Sequence, residues 1–161
     1  VNKQKTKADL RIEMVKRAIA DNPRVELSTY EARNDDVVYT HETLEYFKNT
    51  YPEDEFYYIM GEDSFMTIDT WKNYEKILND KLIVFTRSNT DSDSDLVKKV
   101  DQIKKDNQEI YLINNLNINI SSTLIRGLVK EGKSIKYLVT DEVIDFIGEH
   151  NLYVWFEKLG K

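Results

Sequence analysis

Apolar residues fall along this 161-residue chain in two rhythms, helical spacings and short continuous runs, and their alternation carries the first inference. From Ala8 to about Ala20, Leu10, Met14, Val15, Ala18 and Ile19 recur at helical spacing until Asn22-Pro23 ends the pattern, which predicts an amphipathic helix. Arg24 to Tyr30 alternates polar residues with Val25, Leu27 and the methyl-bearing Thr29, the period of a half-buried strand, and Arg33 to Asp36 reads as a loop. Leu44, Phe47 and Tyr51 share one face of a second helix, which Thr40 is placed to cap and Pro52-Glu53-Asp54 closes. Glu55 to Met60 and Lys81 to Phe85 are nearly unbroken apolar or aromatic runs, as expected of strands buried in a parallel sheet, and a helix over Ser64 to Asn79 joins them. Next come a helix from Leu96 to about Lys105, a strand from Ile110 to Ile113, and a connecting loop from Asn114 to Asn119. Two helices close the chain, Ser121–Lys130 and Asp141–Gly148, the second capped by Thr140.

Strands that alternate with helices predict an α/β fold, a doubly wound parallel sheet covered on both faces. One domain spans residues 1–161, and residues 121–161 are expected to form a small helical C-terminal subdomain. The carboxyl edge of such a sheet is where ligands bind. That gives Gly61-Glu62-Asp63, after the strand ending at Met60, a functional reading, with Asp63 alternatively a cap for the helix from Ser64.

Composition narrows the classes of function. With 40% hydrophobic and 32% charged residues the chain reads as globular, and without cysteine it has no disulfide, thiolate nucleophile or zinc site built on sulfur. Residues 1–7 read as the remnant of a polar, basic loop without an apolar targeting core, and no run of about 18 apolar residues occurs, so a cytoplasmic protein is expected. A formal charge of −6 argues against non-specific nucleic-acid binding, but not against a nucleotide held by a few placed donors. The five glycines make neither a dinucleotide-binding nor a P-loop fingerprint, and no Gly-x-Ser-x-Gly elbow exists. Asp91 to Asp95 alternates aspartates, yet the calcium-loop position needing glycine is Leu96 and the closing position is Gln102, so no metal-binding residues are assigned.

Chemistry concentrates at Ile120-Ser121-Ser122-Thr123-Leu124-Ile125-Arg126. A helix that starts at Ser121 or Ser122 points its first unsatisfied N–H groups outward, where the macrodipole also favours an anion. Arg126 stands three residues after Thr123 and four after Ser122, so its guanidinium shares their face and offers a fork of donors to phosphate oxygens. An ordinary Ser/Thr helix cap is the plain alternative.

Ile120-Ser121-Ser122-Thr123-x-Ile125-Arg126 resembles the C-terminal signature of the nicotinate (or nicotinamide) mononucleotide adenylyltransferases, within the nucleotidyltransferase superfamily. Tyr39-Thr40-His41-Glu42-Thr43-Leu44 is similar to that family's Tyr-Thr-x-[Asp/Glu]-Thr-Leu segment, and Gly61-Glu62-Asp63 with Trp71 is similar to its Gly-x-Asp…Trp pattern, in the same order. Arg11-Ile12-Glu13-Met14 and the stretch from Tyr137 to Tyr153 extend the resemblance over nearly the whole chain. The family's first motif, Gly-x-Phe-Asp-Pro-x-His-x-Gly-His, which holds the triphosphate, has no counterpart here, so the chain is expected to begin after the family's first strand, phosphate loop and first helix.

The resemblance implies a Rossmann-like fold and adenylyl transfer from ATP, with Mg²⁺, to nicotinate mononucleotide, giving deamido-NAD and pyrophosphate. It implies that Ser121, Ser122, Thr123 and Arg126 hold ATP phosphates, with Arg126 catalytic, Ile120 backbone against adenine, and Gly61 and Asp63 at the ribose. It further implies that Trp71 stacks on the pyridine ring and that Tyr39 and Thr40 present backbone groups to the substrate carboxylate. Arg87, at the end of its strand, reaches for a phosphate on the same reading or stands as a solvated surface arginine, and His41 reads as surface or structural. The expected partners are small molecules, with no nucleic acid and no membrane, and homo-oligomerisation stays open. Two alternatives stay open as well: an inactive nucleotide-binding or interaction module, and another adenylyltransferase of the superfamily such as a phosphopantetheine adenylyltransferase.

Overall fold

In chain order the elements are α1 (Ala8–Ile19), α2 (Thr40–Thr50), β1 (Tyr57–Gly61), α3 (Glu62–Phe65), a 3₁₀ turn (Ile68–Thr70), α4 (Tyr74–Leu78), β2 (Lys81–Thr86), α5 (Asp95–Ile103), β3 (Ile110–Asn114), α6 (Ser122–Lys130) and α7 (Asp141–Glu149). The structure is a computed structural model and describes residues 6–86, 94–105, 107–114 and 120–154. The elements fall into two units, Asn34–Asn117 and Val1–Arg33 with Ile118–Lys161.

The unit Asn34–Asn117 is organised by the three apolar runs. β1, β2 and β3 pair in that order, all parallel, with Tyr57 opposite Lys81 and Leu82 opposite Ile110. Parallel neighbours cannot be joined by a hairpin, so each connection carries helix, which is the alternation read from the sequence. Along β2, Leu82, Val84 and Thr86 are buried while Lys81, Ile83 and Phe85 are half-buried, as the period of two requires. Leu82, Val84 and Met60 pack with Phe65, Ile68, Ile77, Leu78, Leu96, Val100 and Leu44 in one core. Burial of each such side chain stabilises the fold by about 1.5–3 kcal/mol.

Two expectations within this unit are corrected. The helix expected over Ser64 to Asn79 is instead α3, the 3₁₀ turn and α4. The Thr67 and Thr70 hydroxyls donate to the Ser64 and Thr67 carbonyls at 3.2 and 2.7 Å, the local bonding that competes with a continuing helix. Trp71 then turns extended at ψ 146° and Asn73 adopts the left-handed conformation at φ 53°, ψ 41°. Thr40 is not the cap of α2 but its first residue. Tyr39 is the cap, and its N–H donates to the Glu42 carboxylate at 2.8 Å. The polar run from Ser88 to Asp93 lies outside the described residues, and Ser94 caps α5 by accepting from the Val97 N–H at 3.3 Å.

In the other unit, Ile135, Val143 and Ile147 are buried together with Met14 of α1, Ile125, Leu128 and Val129 of α6, and Leu152 and Tyr153. Arg17 of α1 completes the α1–α7 contact, its guanidinium 4.6 Å from the Phe146 ring centroid and 3.6 Å from the Glu149 carboxylate. The strand expected from Arg24 to Tyr30 does not form a ladder among the described residues. Its backbone bonds are local turns: Val25 N–H to the Asn22 carbonyl at 3.1 Å, and Arg33 N–H to the Thr29 carbonyl at 3.0 Å. Alternation names the side a strand would bury, but a strand also needs a neighbour for its N–H and C=O groups. Thr140 precedes α7 as expected, yet its hydroxyl makes no capping bond and is buried without a partner.

Candidate functional site

The turn that opens α6 follows from local chemistry. Ser121 is extended at φ −138°, ψ 153°, its hydroxyl accepts from the Leu124 N–H at 3.1 Å, and its carbonyl accepts from the Ile125 N–H at 3.0 Å. Ser121 is therefore the cap and Ser122 the first helical residue. Ile125, Leu128 and Val129 turn into the core of this unit, which leaves Ser121, Ser122 and Thr123 exposed. Arg126 Nη2 donates to Thr123 Oγ1 at 3.3 Å, so the guanidinium is folded back along the helix toward its N-terminal hydroxyls. Ile120, 43% exposed, leads into this turn. Such an arrangement can bind a polyanion: exposed hydroxyls, the outward N–H groups of a nine-residue helix, and one cation share a single turn.

In the unit Asn34–Asn117, a pocket of about 320 Å³ is lined by Val38, Tyr39, Thr40, Thr70, Trp71 and Lys72. Two stretches distant in sequence build it together with Ile77 of α4. Val38–Thr40 enters α2, and Thr70–Lys72 leaves the 3₁₀ turn. Lys72 Nζ lies 4.0 Å from the Tyr39 ring centroid and ties the two stretches together, a contact worth about 0.5–1 kcal/mol at an exposed site. A second tie lies beneath. The His41 ring is 6% exposed, and its Nε2 is 3.0 Å from Asn73 Nδ2. Asn73 tolerates the left-handed region that most side chains avoid, so the imidazole holds the residue that ends the Trp71–Lys72 segment. Trp71 itself is half-buried and packs against the core of this unit. The pocket can accept a planar ring beside an indole, with one cation at the wall.

Tyr39, Thr40 and Trp71 are thus brought together. Ser121, Ser122, Thr123 and Arg126 are brought together as well, in the other unit. Gly61 ends β1 and caps α3, and Asp63 is the second residue of α3, not the cap of a helix beginning at Ser64, at the carboxyl end of the sheet. Arg87 lies outside the described residues. His41, expected as surface or structural, is buried and structural. Lys72 and the His41–Asn73 pair were not singled out by the sequence reading. The usable signals were a lysine directly after the motif tryptophan and an asparagine two residues on, where a left-handed turn is tolerated. A larger groove of about 630 Å³ runs along α7, but Lys133 and Lys136 on its wall face Glu131 at 2.7 Å and Asp141 at 4.0 Å.

A family model described as cytidylyltransferase-like matches residues 2–128. The chain is 36% identical over 155 residues to a protein of Clostridium botulinum strain Okra named "Probable nicotinate-nucleotide adenylyltransferase", covering 95% of this chain and 77% of that relative. The chain belongs to the nicotinate-nucleotide adenylyltransferases of the cytidylyltransferase-like family. A Clostridium acetobutylicum protein of the same name is 38% identical over 148 residues, 91% of this chain and 74% of its own. Among solved structures, the Plasmodium falciparum nicotinic acid mononucleotide adenylyltransferase complexed with APC superposes with a TM-score of 0.68 at 23% identity, over 90% of this chain and 75% of its own. That enzyme complexed with NaAD gives a TM-score of 0.67 at 22% identity, over 95% of this chain and 78% of its own. The parallel sheet and its helical connections are therefore the α/β, Rossmann-like fold of a nicotinate-nucleotide adenylyltransferase. Among the described residues no helix is long and apolar enough to cross a membrane.

Proposed function

We propose that this chain catalyses adenylyl transfer from ATP to nicotinate mononucleotide in NAD biosynthesis, as a cytoplasmic enzyme acting on small molecules. The observation that carries the reading is the α6 turn, where exposed Ser121, Ser122 and Thr123 and the Arg126 guanidinium share one helix end. The 5′-phosphate oxygen of the mononucleotide attacks the α-phosphorus of ATP in line. The bond from that phosphorus to the bridging oxygen breaks, and pyrophosphate leaves with the electron pair. No protein nucleophile is required, so the contribution of the chain is positioning and charge stabilisation. Arg126 and the hydroxyls of α6 bind the phosphates, and Arg126 meets the charge that grows on the departing pyrophosphate. Ile120 lends backbone to the adenine, Gly61 and Asp63 receive the ribose, and Arg87 adds a phosphate contact. Trp71 stacks on the pyridine ring, and Tyr39 and Thr40 present backbone groups to its carboxylate.

Mg²⁺ bound with ATP would supply charge neutralisation at the phosphates. Among the described residues no group of three or more His, Asp or Glu side chains is arranged to hold a metal ion. The described donor set does not fit a protein-built cage. The testing experiment is pyrophosphate release from ATP, Mg²⁺ and nicotinate mononucleotide by the purified chain, with deamido-NAD identified by mass. Product formation supports the reading. Binding of both substrates without product overturns it in favour of an inactive nucleotide-binding module.

A further inference from the structure

We infer that Lys72 selects the acid over the amide mononucleotide, its ammonium pairing with the carboxylate of a pyridine ring seated against Trp71; this rests on the adenylyltransferase reading of the same pocket. Lys72 is the only charged residue among the described ones lining the pocket. It makes no ion pair with any described residue, and its ammonium lies over the face of the Tyr39 ring at 4.0 Å. That contact is the physical point. A lysine free in solvent loses much rotamer freedom when it grips an anion, whereas an ammonium already resting on a ring face loses less. The ring leaves the three N–H donors of the ammonium without an acceptor among the described residues, ready for one from the ligand.

Geometry fixes where that acceptor must lie. Lys72 follows Trp71 directly, and the Tyr39 ring that carries the ammonium immediately precedes the first residue of α2, Thr40. A ring stacked on the indole therefore brings its substituent between the ammonium and the Thr40 end of an eleven-residue helix, two sources of positive potential, the Tyr39 N–H at that end being already taken by the Glu42 carboxylate. A carboxylate satisfies both. A carboxamide carries no charge to meet either, and its NH₂ group would face donors, so exclusion comes from mismatched polarity and not from size.

The test compares the wild-type protein with Lys72→Met, which keeps the apolar stem, and Lys72→Arg, which keeps the charge. Equilibrium binding of nicotinate and nicotinamide mononucleotide is read by tryptophan fluorescence, and kcat/KM for both by pyrophosphate release. The expected result is that Lys72→Met lowers the acid-to-amide ratio at least tenfold, through Kd and KM and not kcat, while Lys72→Arg retains most of it. An equal loss for both mononucleotides would mean that Lys72 serves the shared 5′-phosphate or the fold, and overturns the proposal. An unchanged ratio overturns it as well. The binding arm separates this proposal from the catalytic one: a wild-type chain that prefers the acid without turning it over, and loses the preference in Lys72→Met, leaves the selectivity standing while the proposed activity fails. A wild-type chain that binds neither mononucleotide overturns both.

Discussion

The α6 turn and the Tyr39–Trp71 pocket are built by opposite means. Among the described residues the side-chain hydrogen bonds of the turn are local: Ser121 accepts from Leu124, and Arg126 reaches Thr123, each three residues apart. The contacts of the pocket are distant. Lys72 meets Tyr39 across 33 positions by its number, and His41 meets Asn73 across 32. A local device survives wherever its helix forms, whereas a pocket made of two stretches depends on the core that holds them. Changes in the turn should therefore alter chemistry with little loss of stability, and changes behind the pocket should alter both.

The largest effect tests the turn. Arg126→Ala should lower kcat/KM by about 10²–10³-fold, the range for removing one placed donor to developing charge, with Arg126→Lys recovering part of it. Its unfolding free energy, measured in urea, should change by no more than about 0.5 kcal/mol. A large stability loss would break the contrast. Next comes His41→Ala, which removes a buried side chain and strands Asn73, and should cost about 2 kcal/mol in urea unfolding. Its KM should rise for the mononucleotide but not for ATP. Equal rises would show that the ring supports more than the pocket. Trp71→Ala should raise the mononucleotide KM about tenfold, as loss of one stacked ring does, with Trp71→Phe in between. An unchanged KM in both variants would place the pyridine ring elsewhere.

The smallest effect lies away from both regions. Lys81 contacts Glu55 at 2.5 Å and Glu109 at 3.1 Å. Its bond to Glu55, seconded by Tyr57, holds that carboxyl below the ordinary range, while Glu109 is lowered first by the Tyr111 hydroxyl and then by Lys81. Lys81 is raised in turn, chiefly by Glu55. A carboxyl lowered in the folded state contributes stability above its unfolded pKa and loses it as pH falls through the folded value, so this contribution should fade below about pH 4. The raised lysine contributes below its unfolded pKa and loses that only in strong alkali. Lys81→Met should flatten the acid side of the stability curve, an effect that shrinks at high salt because all three groups face water. Adenylyl transfer should not change.

Read from the sequence alone, the parallel sheet followed from nearly continuous apolar runs separated by helical spacing. Ser121, Ser122, Thr123 and Arg126 were legible for the same reason that their contacts are short: a cap and its helix face are written within one turn of chain. Tyr39, Thr40 and Trp71 were singled out only through resemblance, because no periodicity marks residues whose meeting is made by a core. Tertiary structure alone decided the rest. It broke the stretch from Ser64 to Asn79 into three pieces, since threonine hydroxyls and a left-handed Asn73 outcompeted a helix that the apolar spacing favours. It gave Arg24 to Tyr30 turns in place of a ladder, because a strand needs a neighbour that alternation cannot name. It also buried His41 and set Lys72 on the ring of Tyr39. Both contacts join segments that only packing brings together, and their energies exist only once the fold has closed the distance.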